Sequence, residues 1–373
     1  MEKNRKGKVI IFIIVVLAFS GLLGYDIYIH LRPTSKTEIT NINKQEKEVT
    51  ITDQGIAESV DKLYDATVII NLQTNGQTTG WGSGFVYKVD DNNGYVVTNY
   101  HVTEGYKKAL VEFTNGSTTE GTVVGGDQYT DVSVIKVDKN SIIKVAEIGK
   151  SADTRLGDTV FTIGTPVSLN YKFTVTRGIL SGKDRLSVMS SSSNSMFYNT
   201  SDSWYLNELQ IDASINSGNS GGPLANANGE VIGIVNSKLS RSATTTSSIE
   251  NLGFAIPIED VSNIADQVIN NGEVKRPYVG VTMTTIAGAE RNDISISGDV
   301  KSGAVVVSTE EGSAAQQAGL KSGDVIIKLN DYDIPDYKYL KYYINRYKIG
   351  DKVTITYIRD GKTNTTQLEI KAK

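Results

Sequence analysis

The sequence contains no cysteine, which excludes disulfide bridges and thiolate metal sites. It has no excess of positive charge, because 38 Lys and Arg residues stand against 42 Asp and Glu, a formal net charge of −4. Nucleic-acid binding therefore has no bulk electrostatic support. Histidine is almost absent, with only His30 and His101. With so few ligand side chains and no phosphate-binding loop, the sequence predicts no metal and no organic cofactor.

The length and composition are those of a globular chain. At 373 residues the chain is long enough for two domains. An apolar fraction of 39% and 35 glycines suit a β-rich protein with many turns.

The N-terminus has the charge pattern of a membrane-targeting segment. Residues 1–8 carry four basic side chains, and residues 9–25 form an uncharged apolar run near the short end of what spans a bilayer. A cleaved signal peptide is the competing interpretation, but the run has no clear A-x-A cleavage site. We therefore expect an uncleaved transmembrane helix at 9–25 with 1–8 cytoplasmic. The chain after Asp26 is then extracytoplasmic, tethered as a single-pass protein of the cell membrane.

The rest of the chain divides by pattern. Residues 26–55 are polar and lack periodicity, which predicts an extended linker. Many short, often alternating strand patterns follow up to residue 257, which is typical of a sandwich or a pair of barrels. The serine-rich stretch 187–204 interrupts them and is predicted to be a long loop.

A helix and a domain boundary follow the strands. Ile258, Val261, Ala265 and Val268 form one apolar face, and Gly272 stands where a helix would end. The boundary is predicted at KRP, 275–277. Residues 277–373 then alternate strand and helix patterns as a compact α+β unit.

Ser220 lies within the glycine-rich segment SGNSGG at 217–222. The segment is either an ordinary polar turn or the carrier of a nucleophile, which needs a base. His30 falls in the predicted linker. The candidate base is therefore His101, which is expected at the end of a strand and the start of a loop. The segment also fits the nucleophile elbow of α/β-hydrolases, but no histidine follows Ser220 and a strand pattern replaces the required helix. The order must therefore be histidine, acid, serine.

The acid must lie between His101 and Ser220, and several aspartates qualify. Asp131 opens an alternating apolar strand, Asp138 closes the same strand, and Asp212 is too close to the serine in sequence. The full set of candidates is Asp127, Asp131, Asp138, Asp153, Asp158, Asp184, Asp202 and Asp212. Position alone leaves this choice open.

The glycines beside the serine suit an oxyanion hole. Backbone N–H groups aimed at a developing oxyanion stabilise it, and losing one such donor costs about 2.7–4 kcal/mol. Gly218 permits the backbone to turn its N–H inward, and Ser220 supplies a second donor.

Five separated motifs in matching order resemble the HtrA/Deg serine proteases. They are TNYHV, TDVSVIKV, TVTRGILSG at 174–182, GNSGGPL and NLGFAIP at 251–257. The resemblance covers residues 60–373. It implies a mostly β fold: a chymotrypsin-like double β-barrel at 56–272, then an α+β PDZ domain at 277–373.

The resemblance also implies functional residues. It assigns His101, Asp131 and Ser220 as the catalytic triad and so selects Asp131 among the aspartates. It places the backbone N–H groups of Gly218, Asn219 and Ser220 in the oxyanion hole, and Ile215 in the primary specificity pocket. The carboxylate-binding loop of the PDZ domain would be Tyr278, Val279, Gly280 and Val281.

The implied function is an ATP-independent serine endopeptidase that degrades unfolded or damaged proteins. Its PDZ domain would bind peptide C-termini and tune activity, and family members assemble as trimers. An inactive membrane-tethered scaffold that binds chains without cutting them is the alternative. An esterase on the same barrel is a second alternative, which the PDZ unit does not favour.

Overall fold

The computed structural model describes Ser20 and residues 53–190, 203–237, 251–291 and 293–372. The chain divides into two compact units, Met1–Thr50 and Ile51–Lys373, and every element named below belongs to the second. The expected membrane helix 9–25 lies outside the described residues apart from Ser20, and most of the expected linker 26–55 lies outside them too. Within the described ranges, no helix has both the length and the apolar character needed to cross a bilayer.

The first barrel follows an N-terminal helix, α1 (Asp53–Tyr64). Its strands are β1 (Thr67–Thr74), β2 (Gln77–Val89), β3 (Asn93–Thr98), β4 (Lys108–Glu112), β5 (Thr118–Asp127) and β6 (Val132–Asp138). A short helix, α2 (Tyr100–Thr103), follows β3. The strands close in the order β1-β2-β3-β6-β5-β4, so β3 and β6 are neighbours and their ends meet at one rim.

The second barrel repeats this arrangement. Its strands are β7 (Thr159–Gly164), β8 (Thr174–Ser190), β9 (Ser203–Ile211), β10 (Pro223–Asn226), β11 (Val231–Val235) and β12 (Gly253–Pro257). They close in the order β7-β8-β9-β12-β11-β10, which is the strand order of the first barrel. Two closed six-stranded barrels are the predicted architecture of the peptidase part.

Strand alternation supplies both the barrel interiors and the core between the barrels. On β3, Val96 points into the first barrel, whereas Tyr95 and Val97 belong to a second cluster that joins the two barrels. On β6, Ile135 and Val134 divide in the same way. Period-two alternation with both faces apolar therefore holds the barrels together, and it fixes the cleft between them.

Helix α3 (Ile258–Asn271) closes the peptidase part. Its apolar face, which includes Val261 and Ala265, packs into the core between the barrels. The helix ends at Gly272, whose φ of 76° is left-handed and whose N–H bonds to the carbonyl of Val268. The predicted helix, apolar face and stop signal are confirmed.

The C-terminal domain is an α+β unit with its own core. Its elements are β13 (Pro277–Tyr278), β14 (Val281–Thr284), α4 (Ile286–Arg291), β15 (Ala304–Thr309), α5 (Ala314–Gln317), β16 (Val325–Leu329), β17 (Tyr332–Asp333), α6 (Tyr337–Ile344), β18 (Lys352–Arg359), β19 (Lys362–Glu369) and β20 (Lys371–Ala372). The main sheet runs β14-β15-β16-β18-β19, with β17 beside β16, and β13 pairs with β20. Strand β14 therefore stands at a sheet edge.

Three expectations from the sequence need correction. The expected extended linker ends earlier, because α1 begins at Asp53. The expected loop 187–204 is shorter at both ends, since 187–190 and 203–204 continue the antiparallel pairing of β8 with β9; its middle, 191–202, lies outside the described residues. His101 stands on the short helix α2 rather than in a loop, because the chain turns helically just after Asn99.

Candidate active site

His101 lies on α2 at the rim of the first barrel, where the end of β3 meets the start of β6. The helix is held at its base by Asn99, which is fully buried and donates its side-chain amide to the Asp131 carbonyl at 2.9 Å. The Tyr100 N–H donates to the same carbonyl at 3.0 Å. These two bonds join the segment before His101 to Asp131, the residue just before β6. They fix the backbone that carries the imidazole.

The Asp131 carboxylate is buried and makes three polar contacts. Oδ1 accepts the backbone N–H of His101 at 2.9 Å, and Oδ2 lies 2.7 Å from His101 Nδ1. Oδ2 also accepts the side-chain amide of Asn236 at 2.9 Å. A carboxylate that accepts from Nδ1 fixes the imidazole orientation and leaves Nε2 available as a base.

Other aspartates considered as the acid have different partners. Asp127 bonds to Thr130 and Arg276, and Asp138 accepts the N–H of Asn140 at 2.8 Å. Asp158 accepts the N–H of Arg155 at 2.8 Å, and Asp212 accepts that of Ile179 at 2.6 Å. Asp184 accepts from the Asn207 amide. These contacts give structural roles to most of the alternatives, and Asp131 is the aspartate that meets His101.

Ser220 lies in the segment between β9 and β10, on the second barrel. Its carbonyl accepts the N–H of Ser83 on β2 at 2.9 Å, a contact that crosses the cleft. A Cβ built on Gly82 would lie 2.7 Å from Val102 Cγ1 and 3.3 Å from the Ser220 carbonyl oxygen. The residue after His101 and the backbone of Ser220 therefore approach the same glycine.

The Ser220 hydroxyl is buried and turned toward Ser237. The two Oγ atoms are 2.5 Å apart, and the Ser237 N–H approaches Ser220 Oγ at 3.4 Å. Across the described residues, no hydrogen bond joins this hydroxyl to His101 in the state that the structure captures. The three predicted triad residues therefore lie near one cleft. Asp131 and His101 are paired, whereas the Ser220 hydroxyl is bonded to Ser237.

The backbone around Ser220 is tightly determined. Gly218 has φ of 98°, and a Cβ there would lie 2.1 Å from the Thr165 carbonyl oxygen, so no other residue fits. The Asn219 N–H donates to the Asn216 carbonyl at 3.1 Å. The amides of Gly218 and Ser220 have no protein acceptor among the described residues. Of the three predicted oxyanion donors, the Asn219 amide is thus already engaged.

Ile215 lies four residues after β9 and is half-buried against the core of the second barrel. A Cβ on Gly253 would approach Ile215 Cγ1 to 2.7 Å, so the side chain covers the start of β12. Its assignment to a specificity pocket stays a prediction.

The predicted carboxylate-binding loop connects β13 to the edge strand β14. Gly280 has φ of 73°, and a Cβ there would lie 2.2 Å from Ser313 Cβ, so glycine is required. Tyr278 donates its hydroxyl to Glu310, and burial together with that carboxylate raises the pKa of Tyr278 to about 12. The loop therefore has a fixed shape beside an unpaired strand edge.

Asn236 and Ser237 were not identified from the sequence. They follow the buried strand β11 and reach Asp131 and Ser220 respectively. The only signal was two polar residues directly after an apolar strand, which is too common to be specific. Asn99 was equally hidden, although it stands two residues before the candidate base.

Comparisons with known proteins agree with this architecture. Residues 82–234 match the trypsin-like peptidase domain, and residues 277–370 match the PDZ domain. The chain is 36% identical to serine protease Do-like HtrB of Bacillus subtilis (strain 168), with 98% of this chain and 82% of the relative covered. It is 37% identical to serine protease Do-like HtrA of Lactococcus lactis subsp. lactis (strain IL1403), over 79% of this chain and 71% of the relative.

Solved structures give the same result. The HtrA-type protease AlgW with tripeptide superposes with a TM-score of 0.63 at 28% identity, covering 85% of this chain and 97% of that one. The serine endoprotease from Yersinia pestis gives 0.57 at 26% identity, covering 87% and 100%. The alternative of an inactive scaffold has no support from these relatives, which are named as proteases. The chain therefore belongs to the HtrA family of serine proteases, as a serine endopeptidase with a trypsin-like peptidase domain and one PDZ domain.

Proposed function

We propose that this endopeptidase hydrolyses unfolded or damaged proteins without ATP, with Ser220 as nucleophile, His101 as general base and Asp131 as the group that orients the base. One observation carries the assignment: the 2.7 Å contact between His101 Nδ1 and the buried Oδ2 of Asp131. A buried carboxylate paired to an imidazole beside a glycine-flanked serine is the arrangement that acyl transfer requires.

Catalysis begins when Ser220 Oγ leaves Ser237 and faces the imidazole. His101 Nε2 takes the hydroxyl proton as Oγ attacks the scissile carbonyl carbon. The amides of Gly218 and Ser220 donate to the resulting oxyanion. The imidazolium then protonates the leaving amine, and water hydrolyses the acyl-enzyme through the same base. Asp131 stays ionised throughout and holds the imidazole in place.

The PDZ domain is proposed to bind peptide C-termini. Among the described residues, no strand pairs with the outer edge of β14, and an extended peptide would add there as a further strand. The backbone N–H groups from Tyr278 to Val281 would receive the terminal carboxylate. The HtrA-type protease AlgW has been solved with a tripeptide and with a decapeptide, which supports peptide recognition in this family.

The protein is further proposed to be anchored by residues 9–25, with the peptidase and PDZ domains outside the cytoplasm, and to assemble as a trimer. The support is the basic segment before an apolar run and the family resemblance. Sedimentation equilibrium tests the trimer, and a monomeric mass over the micromolar range would exclude it.

Ser220→Ala in the full chain should abolish cleavage of casein, because no other hydroxyl occupies the nucleophile position. Ser217→Ala is the matched control, since Ser217 lies in the same segment and its hydroxyl has no hydrogen bond within the described ranges. Its carbonyl accepts the Val167 N–H at 2.7 Å, a bond that the substitution leaves in place. Labelling by a fluorophosphonate probe should be lost in the first variant and kept in the second. Undiminished cleavage by Ser220→Ala would reject the assignment.

A further inference from the structure

A short turn connects β5 to Asp131. Asp127, the last residue of β5, stabilises this turn through its side chain. The Asp127 carboxylate is buried and accepts the backbone N–H of Thr130 at 3.1 Å and its hydroxyl at 2.6 Å. The Tyr129 N–H approaches the same carboxylate at 3.4 Å. The next residue, Asp131, has φ of 55°, an uncommon conformation for a non-glycine residue. The direction in which Asp131 points therefore depends on a turn organised by Asp127.

Arg276 binds this turn from outside the peptidase fold. It lies in the segment that joins α3 to the PDZ domain, and its guanidinium forms an ion pair with Asp127. The same guanidinium stacks over the Tyr129 ring at 4.3 Å from the centroid. The two paired side chains are only 15% and 5% exposed. The attraction between two charges so shielded from water is stronger than at the surface, and removing one partner leaves an uncompensated buried charge.

Tight backbone packing connects the Arg276–Asp127 contact to the helix that carries His101. A Cβ on Gly125 would lie 2.9 Å from the carbonyl oxygen of Gly272, where α3 ends. A Cβ on Gly126 would lie 2.9 Å from the ring of Tyr100, the residue before His101. The end of β5 is thus enclosed between the end of α3 and the helix that carries the imidazole. A shift of the turn cannot be absorbed by empty space on either side.

We propose that Arg276 and Asp127 are positioning residues for the peptidase reaction. Their ion pair holds the turn in the shape that aims the Asp131 carboxylate at His101 Nδ1. Neither residue contacts the substrate, and both act through Asp131. This inference rests on the proposed catalytic role of Asp131, and it adds a requirement located in the interdomain segment rather than in the cleft.

The chain contains a matched control for simple domain docking. Arg346 pairs with Asp260 of α3, with Nε 3.8 Å from Oδ1, and its guanidinium lies over the Tyr342 ring at 5.9 Å. This second arginine, aspartate and tyrosine group also joins the peptidase part to the PDZ domain. It lines one cavity with Tyr129 and Thr130, but among the described residues it makes no hydrogen bond or ion pair with the 127–131 turn. If Arg276 acted only through domain docking, Arg346→Gln would therefore lower kcat as well.

The test compares Arg276→Gln, Arg276→Lys, Asp127→Asn and Arg346→Gln in the full chain, with a chromogenic peptide substrate. Arg276→Gln and Asp127→Asn should each lower kcat by roughly tenfold to a hundredfold with KM nearly unchanged, because a misdirected acid affects the chemical step more than binding. Arg276→Lys should recover part of the loss, since it keeps the charge. Arg346→Gln should leave kcat near that of the unaltered protein.

The double variant Asp127→Asn with Arg276→Gln should be no slower than the worse single variant, because both changes disrupt one interaction. Thermal unfolding of each variant establishes that the molecules compared are folded. Equal losses for Arg276→Gln and Arg346→Gln, or an unchanged kcat for Arg276→Gln, would overturn the proposal. If Ser220→Ala is inactive while Arg276→Gln is fully active, only the positioning role fails. If Ser220→Ala stays active, the proposed mechanism itself fails.

Discussion

Glu208, on β9, shows how folding alters a single carboxyl group. Its side chain is buried, and one carboxylate oxygen has no hydrogen-bond partner among the residues that the structure describes. Burial raises the pKa of Glu208 to about 8, from an ordinary value of 4.5. The folded state therefore holds a proton that the unfolded chain releases between these two values. The contribution of Glu208 to the free energy of unfolding is therefore greatest below about pH 4.5 and is lost as the pH rises to about 8.

Glu208→Gln should remove that pH dependence. Compared with Glu208→Gln, the unaltered protein should lose an additional free energy of unfolding of about 1.4 kcal/mol per pH unit between roughly pH 5 and 8, because it carries one more titrating group. The variant lacks the titrating group, so it should be the more stable molecule at pH 8. Urea unfolding at a series of pH values measures this, with Glu120→Gln as control because Glu120 is exposed. Equal slopes for Glu208→Gln and the unaltered protein would show that Glu208 does not titrate in this range.

At the scale of elements, the hairpin of β8 and β9 reaches beyond its barrel to the PDZ domain. Tyr205 on β9 is buried within the PDZ core and crosses Tyr337 of α6 edge to face, with ring centroids 6.0 Å apart. Their hydroxyls are 3.3 Å apart, and Lys341 lies over both rings. No sequence pattern indicated this contact, because the serine-rich stretch beside Tyr205 predicted a loop. One strand therefore contributes to two domains.

Tyr205→Ala should loosen the PDZ domain from the peptidase part. Loss of a buried aromatic side chain costs about 3–5 kcal/mol, whereas Tyr205→Phe loses only one hydroxyl contact at about 1 kcal/mol. Lys275 in the connecting segment is a trypsin site, whereas Arg276 is not because Pro277 follows it. Limited trypsin digestion at Lys275 therefore reports the docking, with Ser220→Ala in the background to prevent self-cleavage. The Ala variant should be cut there sooner than the Phe variant. Identical cleavage rates for both would mean that Tyr205 does not restrain the domain.

At the scale of the whole molecule, attachment to a membrane depends on residues 9–25, which lie outside the described residues apart from Ser20. The domains at 53–372 have their own cores and account for peptidase and PDZ character. Residues 9–25 carry the apolar run. Membrane attachment is therefore a property to be tested on the full chain.

Two charges in the apolar run should abolish membrane attachment. Each arginine near the bilayer centre costs about 2.5–3.5 kcal/mol for insertion, so Ile14→Arg with Leu17→Arg should move the protein to the soluble fraction after alkaline extraction. The same pair of changes in the expected linker, Ile39→Arg with Ile42→Arg, should leave it with the membranes. If the unaltered chain is already soluble, mass determination of its N-terminus decides whether the segment has been cleaved.

The sequence by itself determined the strands and the helix that ends at Gly272. It also identified His101 as the candidate base and Ser220 as the candidate nucleophile. These follow from short-range patterns, periodicity and the scarcity of histidine, which are properties of neighbouring residues and of composition. It was less able to choose among the aspartates without the family resemblance, since each stands beside a turn or strand end.

Only the tertiary structure decided which side chains meet. Asp131 reaches His101 across 30 positions, and Asn236 reaches Asp131 across 105. The Ser220 hydroxyl contacts Ser237, and Arg276 binds Asp127 across 149 positions. Contacts of this kind arise where barrel closure and domain docking bring distant strand ends together. Local sequence patterns carry no information about such distances, because the same short pattern is compatible with many partners.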